Sequence, residues 1–392
     1  MFNKKYLIVS KKRISNYGSS DKFIFSSFFI LLCVVPFFYA AAQIFNNTIL
    51  YGVKDLLLLG MISVLIFYRV NIFVILNVIF IIILNLYALA LSSEDLLMYV
   101  FSLREFLFYP TVGIILGYFF TKRKGSIAIF EIVVIYLLIT YLYLLVFPDD
   151  SFGSTNRLKS LWDREHEPAI IGGVAFLGGW FLLKHSLLKY SLIILSIGLL
   201  LMSGSRSAFL GASLGLLVIY ARNFSIFKIL ILAGISILLI TFFSYLTLAE
   251  RSIDYNITAR LDQYKLAYDA IISSSFLGIG TDKYGVISGF ANKQFCLNGL
   301  CTTTMDSTLL KYFVNYGLLF VLVFLFWIYQ AGISLIKIKD DPEIYFLVSV
   351  FVFSIVIGLV TGKLGAYPMN LIFYMDLGAI FYFLGRKRSR NV

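Results

Sequence analysis

The chain is short of charge. Only 14% of its residues are Asp, Glu, Lys or Arg, against roughly 25% in a soluble domain, and 60% are hydrophobic. That excludes a water-soluble globular protein. Histidine is scarce too, with His166 and His185 the only two, so there is no material for a histidine-rich metal centre. His166 stands between two glutamates, but the spacing fits no zinc or calcium signature, and a solvated loop accounts for it. Cysteine occurs three times. Cys33 sits in an apolar run and reads as packing, whereas Cys296 and Cys301, in "CLNGLC", admit a local disulfide on an oxidising outer side. No nucleotide-binding motif, soluble domain, internal repeat or low-complexity tract is visible. No cleavable signal pattern is visible either: "MFNKKYLIVSKKRISN" is a basic lead, and the run at 23–45 is long enough to stay as a span.

What the chain has is apolar length. Runs of about 18 or more residues recur, each enough to cross a hydrocarbon core about 30 Å thick. They are apolar all round, and that excludes a β-barrel, whose strands would alternate. The expected fold is all-α, a polytopic helical bundle of about twelve transmembrane helices in one membrane domain over residues 1–392. The spans centre near Leu32, Ser63, Ile81, Thr111, Leu138, Leu177, Ser196, Ser213, Ser236, Leu322, Phe353 and Phe373. With both termini cytoplasmic, the inner segments are 1–22, 69–71, 121–125, 184–189, 221–228, 337–342 and 386–392. They hold about 20 of the 33 Lys and Arg, as the positive-inside rule requires. The net +12 is therefore a mark of sidedness and not a nucleic-acid footprint.

Two outer segments stand apart, a short one at 148–167 and a large loop at 249–306, and long loops of this kind tend to carry function. In the large loop, "TARLDQYKLAYDAIISS" sets Leu261, Tyr264, Tyr268, Ile271 and Ile272 on one helical face and Asp262, Lys265 and Asp269 on another. An amphipathic helix at the membrane surface is expected, followed by a glycine-punctuated turn in "FLGIGTDKYG". The inner loops are a few residues long, so any chemistry belongs to the outer side. No nucleotide sugar is available there, and a transferase would need a lipid-borne, pre-activated donor.

The outer charges bear on what that donor is. "GLLLMSGSRSAFLGASLGLLVIYAR" places Arg206 between two apolar runs, with Ser207, Gly211 and Gly215 at four-residue spacing behind it for close helix approach. Two readings stand. Arg206 snorkels to water at a helix end, or it clamps an anion with a helix N-terminus and neighbouring serine hydroxyls. Arg104-Glu105 lies inside the fourth apolar block, where a charge faces the bundle interior, a cavity or its neighbour. Arg157, Lys159 and Arg164 crowd the short outer segment, and Arg251 and Arg260 open the large loop. Several arginines on one side suit a diphosphate, which guanidinium groups bind bidentately. Glu165 or Glu167 could act as general base. Asp306, just before the tenth span, is either an N-cap or a base at the mouth of a cavity. Asp376, in the last span, reads as a structurally paired acid, and Lys54-Asp55 as a boundary pair.

"SGSRSAFLGASLGLL" resembles the S-G-S-R-[GS] signature of the O-antigen polymerase and ligase superfamily. So does the order that follows: a large outer loop opened by an arginine-led amphipathic helix, then "FLGIG", then "MDSTLLKYFVNYGLLF". The resemblance covers residues 150–330 by motif and the whole chain by topology. It implies a GT-C-like, metal-independent glycosyltransferase without a cofactor, in the bacterial inner membrane, with its active site on the periplasmic side. Arg206 and Arg260, with Arg104 and Arg157, would hold the diphosphate of an undecaprenyl-diphosphate-linked oligosaccharide. Glu165 and Asp306 are the candidate catalytic bases. Ligases of this superfamily carry a histidine where this chain has Asp306, so the resemblance implies a polymerase joining lipid-linked repeat units. A ligase acting on lipid A-core and a transporter of lipid-linked oligosaccharides are the alternatives. Implied partners are the lipid-linked oligosaccharide, the bilayer, a chain-length regulator and a flippase, with no nucleic acid.

Overall fold

The computed structural model describes residues 19–44, 49–65, 70–91, 104–151, 158, 161, 166–184, 186–221, 253–280, 295–297, 300–302, 307–338, 340–361 and 368–388. Lipid offers backbone groups no hydrogen-bond partner, so each apolar run closes its own bonds as a helix. Eleven of the twelve expected centres fall in helices: α1 (Ser19–Ile44), α2 (Ile49–Leu65), α3 (Ile72–Leu91), α4 (Tyr109–Lys124), α5 (Ile127–Val146), α6 (His166–Leu182), α7 (Leu187–Ser203), α8 (Arg206–Ala221), α10 (Thr308–Lys337), α11 (Pro342–Val360) and α12 (Met369–Arg388). The centre at Ser236 lies outside the described residues. The large loop contributes α9 (Ile253–Ser273) and a two-stranded antiparallel hairpin, β1 (Phe295–Leu297) and β2 (Leu300–Thr302). The fold is an all-α polytopic membrane bundle, with that hairpin its exception among the described residues. By length and composition α3, α5, α10 and α11 are each enough to cross a bilayer. Helices α6, α7 and α8, of 17, 17 and 16 residues, sit at the short limit for a span. The cause for the last two is local, since Gly204 takes a left-handed conformation (φ 59°) and cuts the run 187–221 in two.

Helix α12 packs most extensively on α4. The two run parallel, with Gly113 against Leu371 and Tyr374 and Gly117 against Met375. A Cβ at Gly117 would lie 2.5 Å from the Met375 Cα, so the two backbones touch, as small residues at such spacing allow in membranes. Helices α6 and α7 form an antiparallel pair, and α8 lies antiparallel on α11 with Gly211 and Gly215 against Phe353 and Ser349. The Ser349 hydroxyl donates across that seam to the Gly215 carbonyl at 3.1 Å. At one end of the bundle α4 finishes in Lys122, Arg123 and Lys124. There Gly125 turns the chain (φ 91°), and the Ser126 N–H donates to a Glu343 carboxylate oxygen at 2.7 Å. Lys124 pairs with Glu131. The start of α8 and the finish of α11 lie at the opposite end.

Helix α10 is broken. Gly317 has φ 62° and ψ −151°, outside helical geometry. The segment after α9 occupies the gap: the Leu318 N–H donates to the Phe276 carbonyl at 2.9 Å, and the N–H groups of Ile279 and Gly280 donate to the carbonyls of Val314 (3.0 Å) and Asn315 (3.1 Å). These are the backbone groups a break leaves without intrahelical partners, satisfied here by a strap from the large loop.

Four sequence expectations are corrected or sharpened. Ile271 does not share the outer face of α9 with Leu261, Tyr264, Tyr268 and Ile272. It packs inward with Leu266, Ala267 and Ala270 against Val314, because helical periodicity groups apolar positions without saying which of them meet protein. Asp376 is fully enclosed, and neither carboxylate oxygen has a hydrogen-bond partner among the described residues, so the expected structural pair is not seen there. Asp55 is held by the Tyr109 hydroxyl, which donates to it at 2.7 Å. Cys296 and Cys301 face each other as direct partners in the hairpin register, with the turn-favouring pair Asn298-Gly299 between the strands.

Candidate functional site

Arg206 begins α8 directly after the left-handed Gly204 and Ser205. The serines around it are committed to the turn. The Ser203 hydroxyl donates to the Leu200 carbonyl at 2.8 Å, and the buried Ser205 and Ser207 hydroxyls bond each other at 3.2 Å. Arg206 is different. It is partly exposed, and its Nε is buried with no hydrogen-bond partner among the described residues. A cation at the positive end of a helix is disfavoured by roughly 0.3–1 kcal/mol, which an anion at the same place would offset.

The packing registers set other chain segments at the same end of the bundle. Helices α8 and α11 are antiparallel, with Gly211 on Phe353 and Gly215 on Ser349; continued to the first residue of α8, this register sets Arg206 level with Gly358. The Ser307 hydroxyl, the N-cap of α10, donates to the Gly358 carbonyl at 3.2 Å, and the Thr308 N–H donates to Thr361 at 3.2 Å. In α6 and α7, Gly172 lies on Leu199 and Gly179 on Leu192, so Glu167 in the first turn of α6 is level with Gly204. Glu167 is buried. The Leu158 N–H donates to the Met202 carbonyl at 3.0 Å, and Leu158 is itself buried. Finally, residues 104–108 form a π-helical turn leading into α4, fixed by Phe106 against Tyr312 and Tyr316 with ring centroids 4.6 and 4.5 Å apart. π-turns of this sort often accompany functional sites.

Of the residues expected from sequence, Arg157, Glu165 and Asp306 lie outside the described residues. Their chain neighbours Leu158, Glu167 and Ser307 all sit at the Arg206 end. Arg104 opens the π-turn and Arg260 lies in α9, both placed by backbone alone. Helix α9 docks on the N-terminal part of α10, at Val314, through Leu266, Ala267, Ala270 and Ile271. Sequence reasoning did not single out Asn315, which is buried with its Oδ1 unpartnered among the described residues. An asparagine two residues before Gly317 in a long apolar run was the available signal.

Residues 191–325 match the family Wzy_C, O-antigen ligase. This match supports the O-antigen polymerase and ligase superfamily. The matched third of the chain runs from α7 into α10 and contains the SGSR turn, α9, the strap and the start of α10. It holds Arg206, Arg260 and Asp306, and it leaves Arg104, Arg157 and Glu165 outside. No curated protein matches the chain. The superfamily implies a glycosyltransferase-type enzyme of the inner membrane, acting on lipid-linked saccharides in O-antigen or lipopolysaccharide biosynthesis.

Proposed function

We propose that this member of the superfamily is an O-antigen or related surface-polysaccharide polymerase, joining undecaprenyl-diphosphate-linked repeat units at the periplasmic face. The terminal hydroxyl oxygen of an incoming lipid-linked repeat attacks the anomeric carbon of the growing chain. The bond from that carbon to the diphosphate oxygen breaks, and its electron pair stays on the diphosphate. Arg206 and Arg260, with Arg104 and Arg157, hold the leaving diphosphate, a prearranged positive environment of the kind that supplies much of enzymatic rate enhancement. Glu165 or Asp306 accepts the hydroxyl proton. A flippase that delivers repeats and a chain-length regulator are the partners this reading adds.

The observation that carries the proposal is Arg206, a guanidinium whose buried Nε has no hydrogen-bond partner among the described residues, at a helix N-terminus and at the same end of the bundle as Leu158, Glu167 and Ser307, the chain neighbours of three other expected residues. An orientation with both termini cytoplasmic is supported by Lys122, Arg123 and Lys124 lying at the opposite end. Asp306, in place of a ligase histidine, favours polymer growth over transfer to lipid A-core. The family's printed description, O-antigen ligase, keeps that second reading in play, and one experiment separates them. Arg206→Ala is expressed in a strain lacking the chromosomal copy, and surface glycan is resolved by length. The expected result is single repeats only, with polymer reduced roughly 100-fold or more, and Arg206→Lys intermediate because a lysine cannot bind bidentately. A normal ladder from Arg206→Ala defeats the assignment. Full-length polymer stranded on the carrier lipid assigns the chain as a ligase.

A further inference from the structure

Helix α9 has three faces, not two. Leu266, Ala267, Ala270 and Ile271 pack on α10. Asp262 and Lys265 are exposed on a second face. The third carries Leu261, Tyr264, Tyr268 and Ile272, at intervals of three, four and four residues, and all four are exposed, Leu261 at 60% and Tyr268 at 64%. The strap prolongs this stripe with Phe276 and Leu277, also exposed. A soluble surface does not keep such a band uncovered.

The depth of the band is fixed by its anchors. Tyr87, in the last turn but one of the membrane-crossing α3, donates its hydroxyl to the Leu277 carbonyl at 2.6 Å. The Phe276 carbonyl takes the N–H of Leu318, from which exposed Leu318, Leu322 and Leu325 continue down α10. The strap therefore sits where two spans leave the hydrocarbon, and the stripe of α9 is continuous with their lipid-facing surface. We propose that α9 lies in the outer-leaflet interface, with Leu261, Tyr264, Tyr268, Ile272, Phe276 and Leu277 against lipid, Asp262 and Lys265 in water, and the remaining face on α10. Tyrosine is suited to that boundary, with an apolar ring and a polar tip. Because the strap closes the break at Gly317, the bilayer holds the outer half of α10, and with it Ser307, at a set height. Helix α9 is thus a lipid anchor for the mouth of the bundle, whatever reaction takes place there.

The test reads lipid and not product. The full chain is made with the photoreactive p-benzoylphenylalanine at one position, 264 or 268 for the stripe and 262 or 265 for the water face, and reconstituted in phosphatidylethanolamine–phosphatidylglycerol vesicles. After irradiation, phospholipid adducts are measured by mass spectrometry. Stripe positions are expected to yield several-fold more adduct than water-face positions. Equal yields from both faces overturn the inference, and so does a stripe label that joins a second copy of the chain instead of lipid. All four positions are exposed, so the substitutions leave the packing intact. Position 261 or 272 replaces a stripe variant that fails to elute as folded protein, and the water face keeps whichever of 262 and 265 elutes.

Discussion

Gly117→Ala tests the centre of the bundle. The added Cβ would lie 2.5 Å from both the Cα and the carbonyl carbon of Met375, and closer still to its carbonyl oxygen. Carbon atoms in contact prefer about 3.5–4.0 Å, so α4 and α12 must part by about 1 Å at a point where backbone meets backbone and no side chain can swing away. Overpacking of this kind costs about 1–3 kcal/mol, and the upper end applies because the most extensively packed helix pair among the described residues is displaced along its length. Alanine returns roughly 0.5–1 kcal/mol through helix propensity, leaving a net loss of about 2 kcal/mol. The assay is the temperature at which half the folded gel-filtration peak is lost after a fixed heating ramp in detergent, since such unfolding is irreversible and rates must be compared on one schedule. Gly60→Ala and Gly332→Ala are the controls, because a Cβ at either position meets nothing within 4 Å. Gly117→Ala is expected several degrees below wild type, with both controls at or slightly above it. If Gly117→Ala melts with the controls, the close α4–α12 contact is wrong.

Gly317→Ala must adopt φ 62° with a Cβ 2.5 Å from the Leu277 carbonyl oxygen, so it should release the strap. Limited proteolysis in the large loop is expected to quicken while the span helices stay resistant, and an unchanged cleavage rate refutes the arrangement. The hairpin register pairs Cys296 with Cys301, and directly opposed residues in antiparallel strands have Cα atoms about 4.5–5.5 Å apart, within reach of a disulfide. Alkylation of unfolded protein purified without reductant should label Cys33 alone. Labelling of all three cysteines shows the pair to be reduced.

Fold class was legible because lipid permits few solutions: long runs apolar on every side must be helices. The packing was not. Gly113 and Gly117 stand four apart in "GIILG", a readable small-residue spacing, but nothing in it names α12 as the partner. Tyr316-Gly317 was visible within a motif, yet the break in α10 depends on a strap that must arrive from elsewhere in the chain. The face of α9 was half legible for a related reason. Leu261 and Ile271 are both apolar and nearly in phase, and only the fold decides which meets lipid and which meets Val314. At the candidate site Arg206 could be named from sequence because a charge between two apolar runs demands an explanation. Its alignment with Gly358 and Ser307 follows from helix registers that no local pattern encodes.

The strap has one more consequence. Residues 281–306 leave from Gly280, whose N–H is bonded to Asn315, and return at Ser307, which caps the same helix. Both feet of the excursion stand on one helix, about 12 Å apart at 1.5 Å per residue. The bonds that hold the two feet, from the Gly280 N–H to Asn315 and from the Ser307 hydroxyl to Gly358, are made by residues outside the excursion. The bundle can stay constant while the segment between those feet is rewritten, which is how one scaffold could be refitted to glycans of different shape.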